Sequence, residues 1–209
     1  MTKLIFIDVE TTGLNPKFAV IHQLAGIIEI DGEVKEKFNY KVKPYGENYS
    51  VSDVALEIGG ITTKDLFLNK DAKEIFPEFK KLLNKYVDPF NKKDKFIIVG
   101  YNCHHFDVPF LREFWNKMND RYFGSYFYQI SVDVMCVLSY LYQDREEIPS
   151  FRLEEMAKTF LPADDLAKFK AHDAMSDILV TRDLYYLIEH RRLPCQRITG
   201  IQEGIKNRE

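Results

Sequence analysis

A short apolar run that ends in two carboxylates lies near the N-terminus, and it constrains the fold more than any other feature. Lys3–Asp8 is mostly apolar, which is typical of a central strand buried in a sheet. The run continues into Thr11-Thr12-Gly13. Because alternate residues of a strand point to the same face, Asp8 and Glu10 share one face. The fold must therefore accommodate two anions side by side at the end of a buried strand.

Further strand and helix patterns follow in an order typical of a mixed α/β protein. Strands are expected at Leu24–Ile30, Glu36–Val42 and Lys95–Tyr101. The Asp31-Gly32 pair predicts a hairpin whose loop is longer than two residues. Helices are expected from a capping box at Asp71-Ala72-Lys73-Glu74 onward and at Val108–Met118, Asp133–Tyr142, Arg152–Phe160 and Asp173–His190. Strands first and helices last predict a mixed sheet flanked by helices.

Length and composition predict one compact domain. The 209 residues are 45 % hydrophobic and 29 % charged, which excludes a disordered chain. Apolar runs stay far below the roughly 20 residues of a membrane span, so we expect no membrane partner and a cytoplasmic location. Three cysteines without C-x-x-C spacing, Cys103, Cys136 and Cys195, predict free thiols. We expect a domain over residues 1–194 and a polar tail over 195–209.

Two more acids follow predicted strands or open predicted helices. Asp107 comes after the second apolar strand, where an N-cap of the next helix is the alternative interpretation. Asp177 lies four residues after Asp173, which is expected to cap the last helix. His172 directly precedes this helix. An unperturbed histidine has a pKa suited to a general base at neutral pH, although a surface or capping histidine is the alternative interpretation of His172.

Four carboxylates and one base are the components of a phosphodiesterase site with two metal ions. Hard oxygen ligands suit Mg²⁺ or Mn²⁺. One ion lowers the pKa of a bound water and the second stabilises the leaving oxygen. On spacing alone, a solvated loop start explains Asp8 and Glu10 equally well. A zinc site at His104 and His105 is disfavoured, because adjacent histidines point in different directions and no Cys or His partner has zinc-site spacing.

Three motifs in order resemble the DEDDh-type 3′–5′ exonucleases. They are Asp8-Val9-Glu10-Thr11-Thr12-Gly13, Asn102 through Phe106-Asp107, and His172-x-Ala174-x-x-Asp177. This superfamily includes the epsilon proofreading subunit of DNA polymerase, ribonuclease T and the three-prime repair exonucleases. The resemblance spans residues 8 to 177. It implies a ribonuclease-H-like fold and hydrolysis of DNA or RNA from a single-stranded or frayed 3′ end.

The resemblance also implies roles for individual residues. Asp8, Glu10, Asp107 and Asp177 would be metal ligands, and His172 would deprotonate the attacking water to release nucleoside 5′-monophosphates. The residues that would hold the 3′-terminal nucleotide are Thr11, Thr12, Gly13, Leu14 and Asn102. Thr12 would do so by its backbone or hydroxyl and Leu14 by packing against the base. A DNA polymerase is the protein partner that a proofreading role would require.

The chain departs from the family pattern in places. Residues 55–62 resemble the family's A-x-x-I-x-G-I-T segment, but Gly59 stands where the family often has His. Asn102 precedes Asp107 by five residues rather than the four of the epsilon-subunit type, a spacing closer to that of the three-prime repair enzymes and the exonuclease modules of family B polymerases. Those polymerase modules carry a tyrosine-based third motif, whereas this chain has His172. Asp133 matches a recurrent family Asp before a helix and is expected to be structural.

Net charge leaves a second class of function open. A charge of -3 is low for a protein that holds nucleic acid through a broad basic surface. Assigning four acids to metal ions makes the rest of the chain slightly cationic. The alternative is a non-catalytic module that binds nucleic-acid ends or a polymerase, which the intact set of acids and His172 disfavours. The residues do not decide between DNA and RNA, because none can be assigned to the 2′-hydroxyl.

Overall fold

The structure is a computed structural model that describes residues 1–163 and 173–190. In these ranges the strands are β1 (Lys3–Thr11), β2 (Ile21–Ile30), β3 (Glu33–Lys41), β4 (Ile97–Gly100) and β5 (Val132–Asp133). The helices are α1 (Asp53–Ile58), α2 (Thr63–Leu68), α3 (Ala72–Leu83), α4 (Asp107–Lys117), α5 (Phe123–Tyr126), α6 (Val134–Tyr142), α7 (Leu153–Phe160) and α8 (Ala174–His190). Both His172 and the expected tail over 195–209 lie outside the described residues.

The five strands form one mixed sheet with β1 at its centre. The strand order is β3-β2-β1-β4-β5. β1 and β2 are antiparallel, as are β2 and β3, whereas β1–β4 and β4–β5 are parallel. The sequence-based prediction of a mixed sheet flanked by helices is confirmed. None of the described helices combines the length and apolar character needed to cross a membrane.

Helices cover both faces of the sheet, and alternation along β1 assigns its side chains to one face or the other. Ile5, Ile7 and Val9 belong to the apolar cluster that contains α3 and α4. Leu4 and Phe6 belong to the cluster that contains α6, α7 and α8. Because side chains alternate along a strand, the even-numbered residues of β1 face the layer that includes α8.

The β2–β3 hairpin is tighter than predicted. β2 ends at Ile30 and β3 begins at Glu33, so Asp31 and Gly32 form a two-residue turn. Both have positive φ, 51° and 84°, as a type I′ turn requires. The prediction of a longer loop was wrong because β3 starts with exposed polar residues, which give no apolar signal for a strand.

Short elements account for most of the other differences. The sequence patterns did not predict α1, α2, α5 or β5, since each is too short to show a periodic apolar pattern. Asp71 does cap α3, where its carboxylate accepts the Lys73 N–H at 2.8 Å. The reciprocal capping box lies instead at α2, between Thr62 and Asp65. Of these helices, α3 packs against the sheet in the apolar cluster that contains Ile5, Ile7 and Val9.

A buried carboxylate on β2 fixes the position of α8. Glu29 is fully buried and accepts hydrogen bonds from the Arg182 Nε and the Tyr186 hydroxyl of α8. The interaction is an ion pair with an additional hydroxyl donor, so the buried charge is compensated. These contacts join α8 to the sheet within three turns of Asp177.

We expect Glu29→Gln to lower the free energy of unfolding by about 3 kcal/mol, because removing one partner of a buried ion pair leaves the other charge uncompensated. In a protein of this size the melting temperature falls by roughly 10 °C. Thermal unfolding of the purified variant measures the change. Glu36→Gln is the matched control, since Glu36 pairs with Lys85 at the surface and such pairs contribute less than about 1 kcal/mol. Equal losses in both variants would contradict a special role for Glu29.

Candidate active site

Asp8 and Glu10 lie at the C-terminal end of β1. They pair in register with Ala25 and Gln23 of β2. Both side chains are half-buried and point to the α8 side of the sheet, as alternation from Leu4 and Phe6 requires. The expectation that they share one face therefore agrees with the structure.

Asp177 extends from the first turn of α8 toward these two acids. Its backbone N–H donates to the Asp173 carbonyl at 3.0 Å, which begins the helix. Among the described residues, carboxylate oxygens of Asp8, Glu10 and Asp177 all lie within 4.8 Å of one another. Atoms at this separation can bind one divalent cation together. We call Asp8, Glu10, Asp177 and the adjoining Asp107 the acid cluster.

Asp107 reaches β1 from the opposite helix layer. It is the first residue of α4 and is only 2 % exposed. Its Oδ1 accepts the backbone N–H of Val9 at 2.9 Å. The pairing of β4 with β1 stops at Phe6 and Val99, so the end of β1 has room for this carboxylate. The N-cap alternative for Asp107 is wrong, because Phe106 holds that position and makes no side-chain capping bond.

The loop between β4 and α4 is folded tightly against β1. A Cβ at Gly100 would lie 2.5 Å from the Cys103 Cβ, so the close approach requires glycine. Asn102 has a φ of 56°, which turns the chain toward α4. Asp133 accepts the N–H groups of Asn102 and His104 at 3.0 and 3.2 Å, and it caps α6. The structure agrees with the expectation that Asp133 is structural.

Burial and mutual repulsion dominate the electrostatics of the acid cluster. Burial raises the pKa of Asp8 well above its ordinary value, and the charges of Asp107, Glu10 and Asp177 raise it further. Burial also raises the pKa of Asp107, although the hydrogen bond from Val9 opposes the shift. These carboxylates are therefore held together at an energetic cost that a cation would relieve.

The donor set of the acid cluster fits a hard divalent cation. All of its ligand atoms are carboxylate oxygens, which suit Mg²⁺ or Mn²⁺ better than softer metals. The rings of His104 and His105 lie 5.6 Å apart and nearly perpendicular, and neither residue belongs to the group that could share a cation. Within the described ranges, the structure offers no support for the zinc alternative.

Two predicted substrate-binding residues in the loop after β1, Leu14 and Thr12, differ in their exposure. Leu14 is 86 % exposed beside the end of β1. Thr12 is buried, and its hydroxyl donates to the Ser50 carbonyl at 2.7 Å and accepts the Val20 N–H at 3.0 Å. Leu14 is thus open to solvent, whereas Thr12 holds the loop to its neighbours. A substrate contact by Thr12 stays a prediction.

The remaining predicted nucleotide-binding residues are Thr11, Gly13 and Asn102. The Thr11 hydroxyl donates to the Gly13 carbonyl at 2.7 Å, which bends the chain away from β1. Asn102 is half-buried in the loop before Asp107. All of these residues lie near the acid cluster along the chain, and their contacts with substrate stay predictions.

Asp173 acts as a helix cap, as the sequence indicated. Its Oδ2 accepts the Ser176 N–H at 3.3 Å at the start of α8. His172 directly precedes it and lies outside the described residues. The general-base role of His172 therefore stays a prediction.

Sequence reasoning did not identify Gln23. This nearly buried residue is the register partner of Glu10, and its Nε2 donates to Asn39 at 3.0 Å and to Asp173 at 3.4 Å. It therefore connects β2 to the start of α8. His22 and Gln23 are consecutive polar residues of β2, but nothing in the neighbouring sequence identifies their partners.

Gly59 ends α1 beside a small cavity of about 40 Å³ that Glu10 and Gln23 also line. Its φ of −74° is one that any residue adopts. A Cβ would make only ordinary contact, 3.6 Å from the Ala55 carbonyl oxygen. The backbone therefore does not require glycine where the family often has His.

Curated proteins with similar sequences match this chain over only a small part of their own length. DNA polymerase III PolC-type from Thermotoga petrophila is 27 % identical over 181 residues, covering 87 % of this chain and 11 % of the polymerase. The Pediococcus pentosaceus PolC-type polymerase is 27 % identical over 188 residues, covering 88 % and 11 %. The chain thus spans about a tenth of the length of these curated relatives.

Solved structures with a similar fold include E. coli Exonuclease I. Its complex with a dT13 oligonucleotide has a TM-score of 0.72 and 25 % identity, covering 91 % of this chain and 42 % of that one. A zinc-bound complex with single-stranded DNA has a TM-score of 0.73 and 25 % identity, covering 92 % and 41 %. The sequence also matches the RNase_T exonuclease family over residues 5–185, which include every described member of the acid cluster. The chain therefore belongs to the RNase_T exonuclease family.

Proposed function

We propose that this chain is a metal-dependent 3′–5′ exonuclease that removes nucleoside 5′-monophosphates from DNA or RNA. The observation that carries the proposal is the convergence of carboxylate oxygens from β1 and α8 within 4.8 Å, next to the buried Asp107. Membership of an exonuclease family supports it. Hydrolysis at a 3′ end requires that the terminal phosphodiester be bound, and cations held by carboxylates can bind it. A compact acid cluster at an open strand end is the arrangement expected for this reaction.

The residues of the acid cluster would hold two Mg²⁺ or Mn²⁺ ions. Bound there, the ions would lower the pKa of the attacking water and stabilise the leaving oxygen. His172 would take the proton from that water as general base. Val9 would hold Asp107 in place through its N–H group.

The substrate would be a single-stranded or frayed 3′ end. Leu14 offers an exposed apolar surface for the terminal base at the end of β1. The E. coli Exonuclease I neighbour was solved with dT13, which supports a single-stranded substrate for this chain. Similarity to PolC-type DNA polymerases supports a polymerase as the partner or the parent chain of this domain.

Hydrolysis is tested on 5′-labelled DNA and RNA of matched sequence, each single- and double-stranded. We expect stepwise shortening of the single strand with Mg²⁺ or Mn²⁺, and none with chelator, because the repelling acids bind phosphate only through cations. Gel analysis of the labelled products reads the outcome. Binding without shortening, with either metal and on every substrate, would overturn the enzyme proposal in favour of a non-catalytic module.

Asp8→Asn separates catalysis from stability. We expect its activity to fall by at least 10²-fold, because a ligand carboxylate is lost. Without metal at pH 7, its melting temperature should rise by roughly 2–4 °C, because the variant lacks the charge whose burial and repulsion raise the Asp8 pKa. Each unit by which that pKa is raised corresponds to about 1.4 kcal/mol of lost stability. Activity assays and thermal unfolding give the two readouts. Asp144→Asn, at an exposed position, should change neither; a lower melting temperature for Asp8→Asn would show that Asp8 is structural.

The stability gain of Asp8→Asn should depend on pH with a definite sign. Because the folded-state pKa of Asp8 lies above its ordinary value of 3.8, ionisation opposes folding, and wild-type stability is lost as the pH rises through that folded-state pKa. The difference between variant and wild type should therefore shrink as the pH falls toward 4. Thermal unfolding without metal from pH 4 to 8 measures it. If the stability advantage of Asp8→Asn grew as the pH fell, the burial and repulsion of the Asp8 charge could not be its cause.

A further inference from the structure

A second cavity lies on the α4 side of the loop that carries Asp107. Its volume is about 570 Å³, within the range of ligand-binding clefts. Its lining combines cationic, polar and apolar side chains. The residues that matter here are Lys95, His104, Arg112, Gln129, Val108 and Phe127. We call this space the basic cavity.

Positive charge in the basic cavity is not compensated by acids. None of the described residues that line it is Asp or Glu. Lys95 donates to the Gly124 carbonyl, and the Arg112 guanidinium lies 4.5 Å from the centre of the Phe123 ring. Uncharged partners thus hold both cations, and their charge remains available to an anion.

The acid cluster and the basic cavity have consecutive residues of the chain, Asp107 and Val108. Val108 in the cavity wall directly follows Asp107 in the first turn of α4. His104 belongs to the same loop, and its Nδ1 lies 3.1 Å from the Ser131 hydroxyl. One loop and one helix turn therefore carry both a member of the acid cluster and a wall of the basic cavity.

Exposed aromatic and apolar side chains flank the basic cavity along the chain. Tyr128 directly follows Phe127 of the wall, Ile130 directly follows Gln129, and Tyr122 lies two residues before Gly124. All three are exposed. Cations beside exposed rings are the combination that single-stranded nucleic acid requires, since phosphates pair with cations and bases stack on rings.

We propose that the basic cavity binds backbone phosphates of the substrate strand on the 5′ side of the scissile bond. The proposal rests on the proposed function, because an exonuclease that holds the last phosphodiester at the acid cluster leaves only 5′ nucleotides to contact other surfaces. Arg112 supplies the principal charge, since it is exposed and fixed by stacking on Phe123. Lys95 and the His104 side chain line the path beside it.

The test is binding of a 3′-blocked, fluorescently labelled oligothymidylate, followed by anisotropy over a salt series. Arg112→Gln should weaken affinity roughly tenfold, because a charge-assisted contact is lost. The slope of log affinity against log salt should fall by about 0.7, the value for one phosphate contact on a single strand. Arg112→Lys should keep the wild-type slope, since the charge remains.

Arg145→Gln is the matched control. Arg145 is an exposed arginine beyond the far end of α6, paired with Glu147. Its removal should leave affinity and slope unchanged. Equal effects in both glutamine variants, or none in Arg112→Gln, would overturn the proposal. So would a loss in Arg112→Lys that matches Arg112→Gln and comes with a lower melting temperature, because Arg112 would then act through packing on Phe123.

Two further comparisons separate this proposal from its alternatives. If the wild type binds the strand through Arg112 but shortens no substrate, the proposed function fails and the basic cavity stands. If the wild type shortens DNA and Arg112→Gln binds identically at every salt concentration, the cavity proposal alone fails. If Arg112→Gln weakens binding of thymidine 5′-monophosphate but not of the strand, the site takes free nucleotides and the strand proposal is overturned.

Discussion

Repulsion among four carboxylates is the constraint around which the site is built. Burial raises the pKa of Asp8, and the neighbouring charges of Asp107, Glu10 and Asp177 raise it further. A cluster of this kind opposes folding unless other contacts hold its members in place. Those contacts are specific: Val9 donates to Asp107, and the start of α8 is tied to β2 through Asp173 and Gln23.

The sheet topology explains how acids from both helix layers meet. β1 is central and parallel to β4, but it continues for five residues beyond Phe6, the last residue paired with β4, to Thr11. The end of β1 is therefore open on the side that β4 vacates, and α4 brings Asp107 there. On the other face α8 brings Asp177, and the buried Glu29 holds that helix to β2. Because β1 extends past β4, acids from both helix layers can meet at its end.

The sequence predicted those features that depend on local periodicity. Alternation placed Asp8 and Glu10 on one face, and Asp173 was expected to cap α8. Local patterns could not predict where the Asp107 carboxylate lies, because the contact that holds it joins it to Val9, 98 residues away in sequence. Gln23 was missed for the same reason, since its partner Asp173 is 150 residues away. Long-range hydrogen bonds of buried polar groups have no local signature.

The distribution of charge, rather than the net charge, distinguishes the acid cluster from the basic cavity. The chain carries -3 overall, yet acids converge at the end of β1 while the adjoining basic cavity has cationic walls. A local field of one sign acts on a ligand within about 10 Å at moderate salt, and more distant charges are screened. In the two proposals, phosphates at the acid cluster would depend on bound cations, whereas those at Arg112 would depend on a fixed guanidinium. Strand affinity and cleavage would then be controlled by different groups, and removing metal should abolish cleavage while leaving part of the strand affinity.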